Sequence, residues 1–362
     1  MKSIKIIFAG DLMPGGVVVD KNDVFSDEIK NIFLEADIRI ATLECAIGEN
    51  MSFDPVKMEN PLWRNIIYAP NRAIGKLKIL KINLVSLANN HIFDLSEEGL
   101  FNTITLLRKN GIQYVGAGYN KDDASKPAVF DVNGKKIAIL AYMESYWRAP
   151  HPADDNSPGI NLLYMDKVVE DIRLAKAKYD YVFVMPHWGI EYTYFPTAND
   201  RKKAIQMVKA GADGIIGSHT HQIQPWMKIK KSIVFFSLGN FLFPDFYMLP
   251  DRPICYPEDA NIKDYPISYT YPKNAKSIIR RVWKKKNRKG ILAEILISNK
   301  VDSKVTFIEL DEENNVVLIK HKRYLKLILL AISRLLRFDF YWIIVKGKNF
   351  MSRIMQKIVK LN

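Results

Sequence analysis

Side chains that ligate divalent metals stand repeatedly at the ends of short apolar runs in this chain. Asp11 follows Ile6-Ile7-Phe8-Ala9-Gly10, and Glu44 follows Ile40-Ala41-Thr42-Leu43. Asn90 and His91 close Ser86-Leu87-Ala88-Asn89, His187 closes Val184-Met185-Pro186, and His219 and His221 come after Ile215-Ile216-Gly217-Ser218. Apolar runs of about four to eight residues, bounded in this way, read as buried strands. Open α/β sheets bind ligands outside the carboxyl ends of their strands. The pattern therefore predicts an α/β fold whose strand ends build a metal site.

The rest of the first 250 or so residues fits that frame. Strand-like runs are Ile4–Ala9, Ile38–Leu43, Leu84–Leu87, Tyr114–Gly116, Ala128–Val132, Lys136–Tyr142, Tyr181–Met185, Gly214–Gly217 and Ser232–Ser237. Helical patterns cover Glu97–Asn110 and Asn199–Ala210, stopped by Gly111 and Gly211, and Met165–Lys178. Asn133-Gly134 between two runs is a strong hairpin signal. Pro244–Tyr271, rich in Pro, Tyr and Asp, reads as a long irregular loop, a rim or lid. Gly290–Ser298, Lys304–Leu310 and Val316–Lys320 read as a closing β-meander on the same domain.

Charge divides the chain further. Of the formal +14, residues 320–362 carry +10 and residues 276–289 carry +8, which leaves −4 on the remainder. A mildly acidic body argues against nucleic acid as its partner. The two cysteines, Cys45 and Cys255, are too few and too far apart for a disulfide framework, and Cys45 reads as a small buried side chain. The N-terminus runs straight into the first strand without a secretory apolar region, and no stretch of about 18 uncharged apolar residues occurs. The expected location is the cytoplasm or the inner face of the membrane. The tail, with Tyr341, Trp342 and its Lys/Arg excess, reads either as a basic amphipathic helix lying on a membrane surface through residues 324–362 or as a helix packed on the domain.

A bridged two-metal site needs a shared carboxylate and a few N or O ligands for each ion. Asp11, Glu44, Asn90, His187, His219 and His221 supply such a set. His-x-His on a turn can offer its two imidazoles to different ions, and Asn90 offers a carbonyl oxygen. His91, pointing elsewhere, is then free to donate a proton. Taken one at a time these residues have plainer readings. Asp11 suits a cap, Asn89 and Asn90 suit a turn, and Glu44 could pair with Arg39 or Arg72. His151 and His321 sit in no motif and read as surface residues.

Gly10-Asp11-Leu12-Met13, Leu43-Glu44, Ser86 to His91, His187 to Tyr192, Gly217 to His221 and Ser237-Leu238-Gly239-Asn240-Phe241 occur in an order that resembles the CapA/PgsA family of bacterial capsule and poly-γ-glutamate synthesis. The resemblance covers about residues 4–310. It implies the fold of calcineurin-like metallophosphoesterases, a four-layer α/β sandwich with two central sheets flanked by helices. The domain would span residues 1–320, with 244–289 as a basic rim and 321–362 as a helical tail. The resemblance assigns Asp11 as the first acid, Glu44 as the bridging carboxylate, Asn90 as a ligand and His91 as general acid. His187 becomes a lone ligand, and His219 and His221 serve one ion each. The implied cofactor is one or two divalent ions of Mn, Fe or Zn. The implied partner is an anionic polymer or phosphorylated substrate, hydrolysed or transferred, or else bound by a non-catalytic accessory protein; a general phosphoesterase is the third option. Met13 departs from the phosphoesterase pattern by standing at a histidine position, where a thioether is a poor ligand. Asn89, Glu191 and Asn240 are expected behind the ligands or near substrate. Trp188 reads equally as core or as a substrate platform.

Overall fold

The computed structural model describes residues 3–49, 51–59, 66–145, 151–249, 252–254 and 279–319. The expected amphipathic tail and residues 255–278 of the expected rim lie outside them. Two sheets carry the architecture. In the first, Ile4–Leu12 lies between two kinds of neighbour. On one side it pairs in parallel with Ile38–Leu43, followed by Leu84–Ser86 and Gln113–Val115, also parallel. On the other it pairs antiparallel with Lys289–Ile297, which leads through Val301–Leu310 to Val316–Leu318, the expected meander.

The second sheet places Lys135–Met143, Tyr181–His187, Gly214–Ile216 and Ser232–Phe235 in parallel, with Ala128–Val132 and Trp226–Ile229 antiparallel at its edges. The Asn133-Gly134 turn joins its first hairpin with both residues at positive φ, +53° and +75°, as a type I′ turn requires.

Strand alternation explains why the sheets stack. Along Lys135–Met143, Ile137, Ile139, Ala141 and Met143 face the core shared with the first sheet, whereas Ala138, Leu140 and Tyr142 face a second core. Phe8 and Phe183 meet across the sheet interface at 5.7 Å. Helices Met165–Lys178 and Ala198–Ala210 close the second core with Val168, Ile172, Ala204 and Met207. Ala198–Ala210 starts at a Thr197–Asp200 capping box and stops at Gly211, φ +119°. Helices Asp27–Leu34, Ile74–Ile79 and Ser96–Lys109 bury Phe33, Leu77 and Leu100 on the first sheet's side. The result is helices, sheet, sheet, helices. Among the described residues no helix is long and apolar enough to cross a membrane.

Part of the stretch expected to be irregular is ordered strand. Phe246–Leu249 pairs antiparallel with Arg252–Ile254 and with Ile279–Arg281. Its low periodicity in sequence follows from a partner some thirty residues away, which the local pattern does not reveal. The short helices Asp27–Leu34 and Ile74–Ile79 were likewise not singled out from sequence, being only two turns or so of apolar periodicity.

Candidate metal centre

The carboxyl ends of both sheets meet at one place. Asp11 sits at a slip in the pairing of Ile4–Leu12 with Ile38–Leu43, between Ala9 and Asp11, and such irregularities re-aim side chains. Only glycine fits beside it: a Cβ on Gly10 would lie 1.9 Å from the Gly239 carbonyl oxygen. Glu44 follows Leu43 with its N–H on Leu12 O at 2.9 Å. His187 ends its strand, and the chain after Gly214–Ile216 turns sharply to present His219 and His221. Both are in the left-handed region, at φ +94° and +51°, a backbone cost of order 1–3 kcal/mol each. The His219 N–H answers that cost in part by donating to both Asp11 carboxylate oxygens at 3.3 Å.

Two ligand groups result, and Glu44 belongs to both. Glu44, His187 and His219 form one, and Asp11, Glu44 and His221 the other, with ligand atoms in each within 4.8 Å of one another. His187 Nε2 lies 3.4 Å from Glu44 Oε1, 2.9 Å from Asn90 Oδ1 and 3.1 Å from His219 Nδ1. His221 lies 3.8 Å from Glu44 Oε1 through Nε2 and 3.6 Å from Asp11 Oδ2 through Nδ1. The two acids and three histidines are buried, and Asn90 is half-buried.

The donor set fits divalent cations. Both Glu44 oxygens are buried with no hydrogen-bond donor. Arg39, one of its conceivable partners, instead donates to Ala36 O at 2.8 Å, and Arg72 pairs with Asp20. The nearby Asp11 crowds a second buried acid against Glu44. Two buried carboxylates without a cation are costly. Burial and then Glu44 push the Asp11 carboxyl well above its ordinary range. Burial also raises that of Glu44. Burial, helped by the neighbouring imidazoles, holds His187 and His219 well below the usual histidine value, so both are neutral and ready to ligate at neutral pH. Burial works against a His221 cation too, but Glu44, Asp11 and Glu191 outweigh it and raise its pKa.

Further groups hold these side chains in place. His187 Nδ1 meets Ser218 Oγ at 2.9 Å, and His221 Nδ1 meets Asn240 Oδ1 at 2.8 Å. Fixing one ring nitrogen leaves the other aimed at a metal position. Asn89 does not enter the centre. It braces the turn, donating to Leu43 O at 2.7 Å and accepting from His91 N at 3.0 Å. His91 Nδ1 is paired with Asp94 at 2.7 Å, and Asp94 also takes the ammonium of buried Lys57. Lys57 donates as well to Asn90 O at 2.6 Å. One lysine thus steadies both the expected ligand Asn90 and the expected acid His91. Ser218, Asp94 and Lys57 were not singled out from sequence. Asp94 has a local signal, three residues past His91; Lys57 has none.

Several expectations change. Trp188 is core rather than platform: it is 1% exposed, donates Nε1–H to Phe236 O at 2.9 Å and stacks on Phe236. His151 is not a bare surface residue. It meets Asp54 at 3.0 Å and stacks on Phe93 at 4.3 Å. Met13 is fully buried, and its Sδ accepts from Gly15 N at 3.2 Å. Glu191 is half-buried and acts on His221, His219 and Glu44 through its charge. Cys45 is buried, as expected.

Residues 5–245 match the family described as "Bacterial capsule synthesis protein PGA_cap". The chain is 30% identical over 242 residues to the "PGA biosynthesis protein CapA" of Bacillus subtilis (strain 168), covering 65% of this chain and 62% of that protein. It is 34% identical over 179 residues to the "Capsule biosynthesis protein CapA" of Bacillus anthracis, covering 48% and 43%. It thus spans less than two thirds of either relative's length. Among solved structures, a putative 5'-nucleotidase from Staphylococcus aureus aligns at 13% identity with a TM-score of 0.42, over 88% of this chain and 53% of the other. The architecture here rests on the strand order and layers already described, not on a likeness of that size.

Proposed function

The chain belongs to the bacterial capsule synthesis protein PGA_cap family, and from that premise we propose that it serves the biosynthesis of an anionic capsule polymer of the poly-γ-glutamate kind, as a metal-dependent hydrolase or transferase. Glu44 carries the reading: it is shared by two ligand groups, and its buried oxygens are crowded by Asp11 with no Lys or Arg donating to them. Glu44, Asn90, His187 and His219 would hold one ion; Asp11, Glu44 and His221 would hold a second. When bound, such ions supply Lewis acidity toward a carbonyl or phosphoryl oxygen and make a water more acidic. Their identity is proposed as Mn, Fe or Zn, from the mixed N and O donors.

His91 is the proton donor in this scheme. Asp94 holds its Nδ1, leaving Nε2 to serve the leaving group, and Lys57 keeps Asp94 in place. Asn90, adjacent in sequence and half-buried, would place the metal beside this acid. Peripheral membrane contact through residues 324–362 stays part of the proposal, and deletion of that segment followed by membrane fractionation tests it.

Metal analysis of the purified protein tests the centre. Two equivalents are expected in the wild type, with His219→Ala losing one and Glu44→Gln losing both. The second group has only three side-chain ligands and Met13 is engaged elsewhere. That observation favours unequal affinities, so mild chelation should remove one ion first. A protein that takes up no metal would sink the proposal. Activity is tested with bis-nitrophenyl phosphate and with an amide-linked glutamate oligomer. Turnover of either, abolished in His91→Ala with metal content intact, would support the assignment of His91.

A further inference from the structure

We propose that the turn Lys284-Lys285-Lys286 is a grip for an extended chain bearing carboxylates, seated so that the chain runs on into the metal-ligand cluster. The inference deepens the reading above and rests on the cluster being the reaction centre.

The three lysines are exposed, while the residues on either side, Trp283 and Asn287, are buried. A turn pinned at both ends therefore displays three ammonium groups. The pins lead to the ligands. Trp283 packs 5.6 Å from the His221 ring, and its Nε1–H donates to Pro244 O at 3.0 Å. Asn287 donates to His221 O at 3.5 Å, and its own carbonyl accepts from Asn240 Nδ2 at 2.8 Å. Asn240 also meets His221 Nδ1, and Gln222 Nε2 reaches Lys286 O at 3.2 Å. The ring of Tyr192, 41% exposed, stacks on His221 at 5.7 Å and touches Trp283 at 6.4 Å. Trp283, the residue before Lys284, is thus in ring contact with the ligand residue His221.

Among the described residues these charges have no acid of their own. The buried acid nearest the turn, Asp245, is already engaged by Arg288, by Trp283 N and by Asn314. Residues 276–289 contain no acid, and among the described residues no carboxylate pairs with Lys284, Lys285 or Lys286. The chemistry favours carboxylates strung along a chain. Lysine ammoniums are point charges on flexible stems, without the planar fork that arginine offers to a single phosphate. Residues 285–287 form a 3-10 turn, whose successive side chains diverge by about 120°. Diverging ammoniums suit successive charges on a passing polymer better than one compact anion. Trp283 is buried, so the turn offers no ring for a nucleobase to stack on.

The test uses the full-length protein and fluorescent glutamate decamers, γ-linked and α-linked, with anisotropy as the readout. The wild type should bind the decamer more weakly as salt rises. K284Q/K285Q/K286Q should lose about tenfold in affinity, the sum of three screened ion pairs, with metal content unchanged. The triple Lys→Arg variant should restore most of it. His219→Ala, short of metal, should still bind the decamer, which separates failure of the grip from failure of the metal centre. Equal affinity of the wild type and the triple Gln variant would overturn the proposal. So would equal affinity for a neutral glutamine decamer, or tighter binding of a single-stranded oligonucleotide.

Discussion

Asp11 shows how a single residue reports the state of the whole centre. Without metal its carboxyl is destabilised by burial and by Glu44, so its pKa in the folded protein lies above the ordinary 3.8. A raised acid contributes stability while protonated and loses it as pH climbs from that ordinary value through the folded one. Chelator-stripped Asp11→Asn should therefore melt higher than stripped wild type at pH 7, with the gap closing toward pH 3. With metal present the order should reverse, and thermal melts across pH check both. Lys57 makes a second case. Its ammonium is buried against Asp94, with side-chain exposures of 6% and 0%. Removing one partner of such a pair costs about 3–5 kcal/mol, so Lys57→Met should unfold at clearly lower urea. Lys228→Met, which loses the exposed pair with Asp302, should leave the urea midpoint almost unchanged.

At the level of elements, strands and turns deliver the chemistry through close backbone approaches. Gly217 follows the strand that leads to His219, and a Cβ there would sit 2.1 Å from Phe236 O and 2.6 Å from the Trp188 indole nitrogen. Both are fixed in the second core. Gly217→Ala should cost about 2 kcal/mol or more, as overpacking of a core does, and should lower metal affinity by displacing His219. Denaturant melts and metal titration of the variant check the two effects separately. Elements with a strong local signal were legible in sequence: Ile38–Leu43, Ala128–Val132 and Met165–Lys178 have the bounds expected of them. Trp226–Ile229 and Phe246–Leu249 were not, because short edge or satellite strands owe their form to partners rather than to their own pattern.

The centre lies between the two sheets of the molecule, so metal should tie their ends together. A ligand that binds only the folded state stabilises it by about 2.7 kcal/mol at a hundredfold excess over Kd. Loading the stripped protein with Mn²⁺ should raise Tm by several degrees, and Glu44→Gln should erase the shift because both ligand groups lose their common member. Calorimetry with and without metal reads this directly.

By itself the sequence determined which residues end strands, and so which side chains arrive at the carboxyl edges: Asp11, Glu44, Asn90, His187, His219 and His221. Periodicity and turn chemistry are local, and a strand end is a local event. Only the tertiary structure decided that Glu44 serves two groups at once, that Trp188 turns inward, and that Lys57 stands behind both Asn90 and His91. Asp11 and the His219 amide are 208 residues apart, and Lys57 and Asp94 are 37 apart. Such contacts depend on how two sheets stack and twist against each other, which no local pattern encodes.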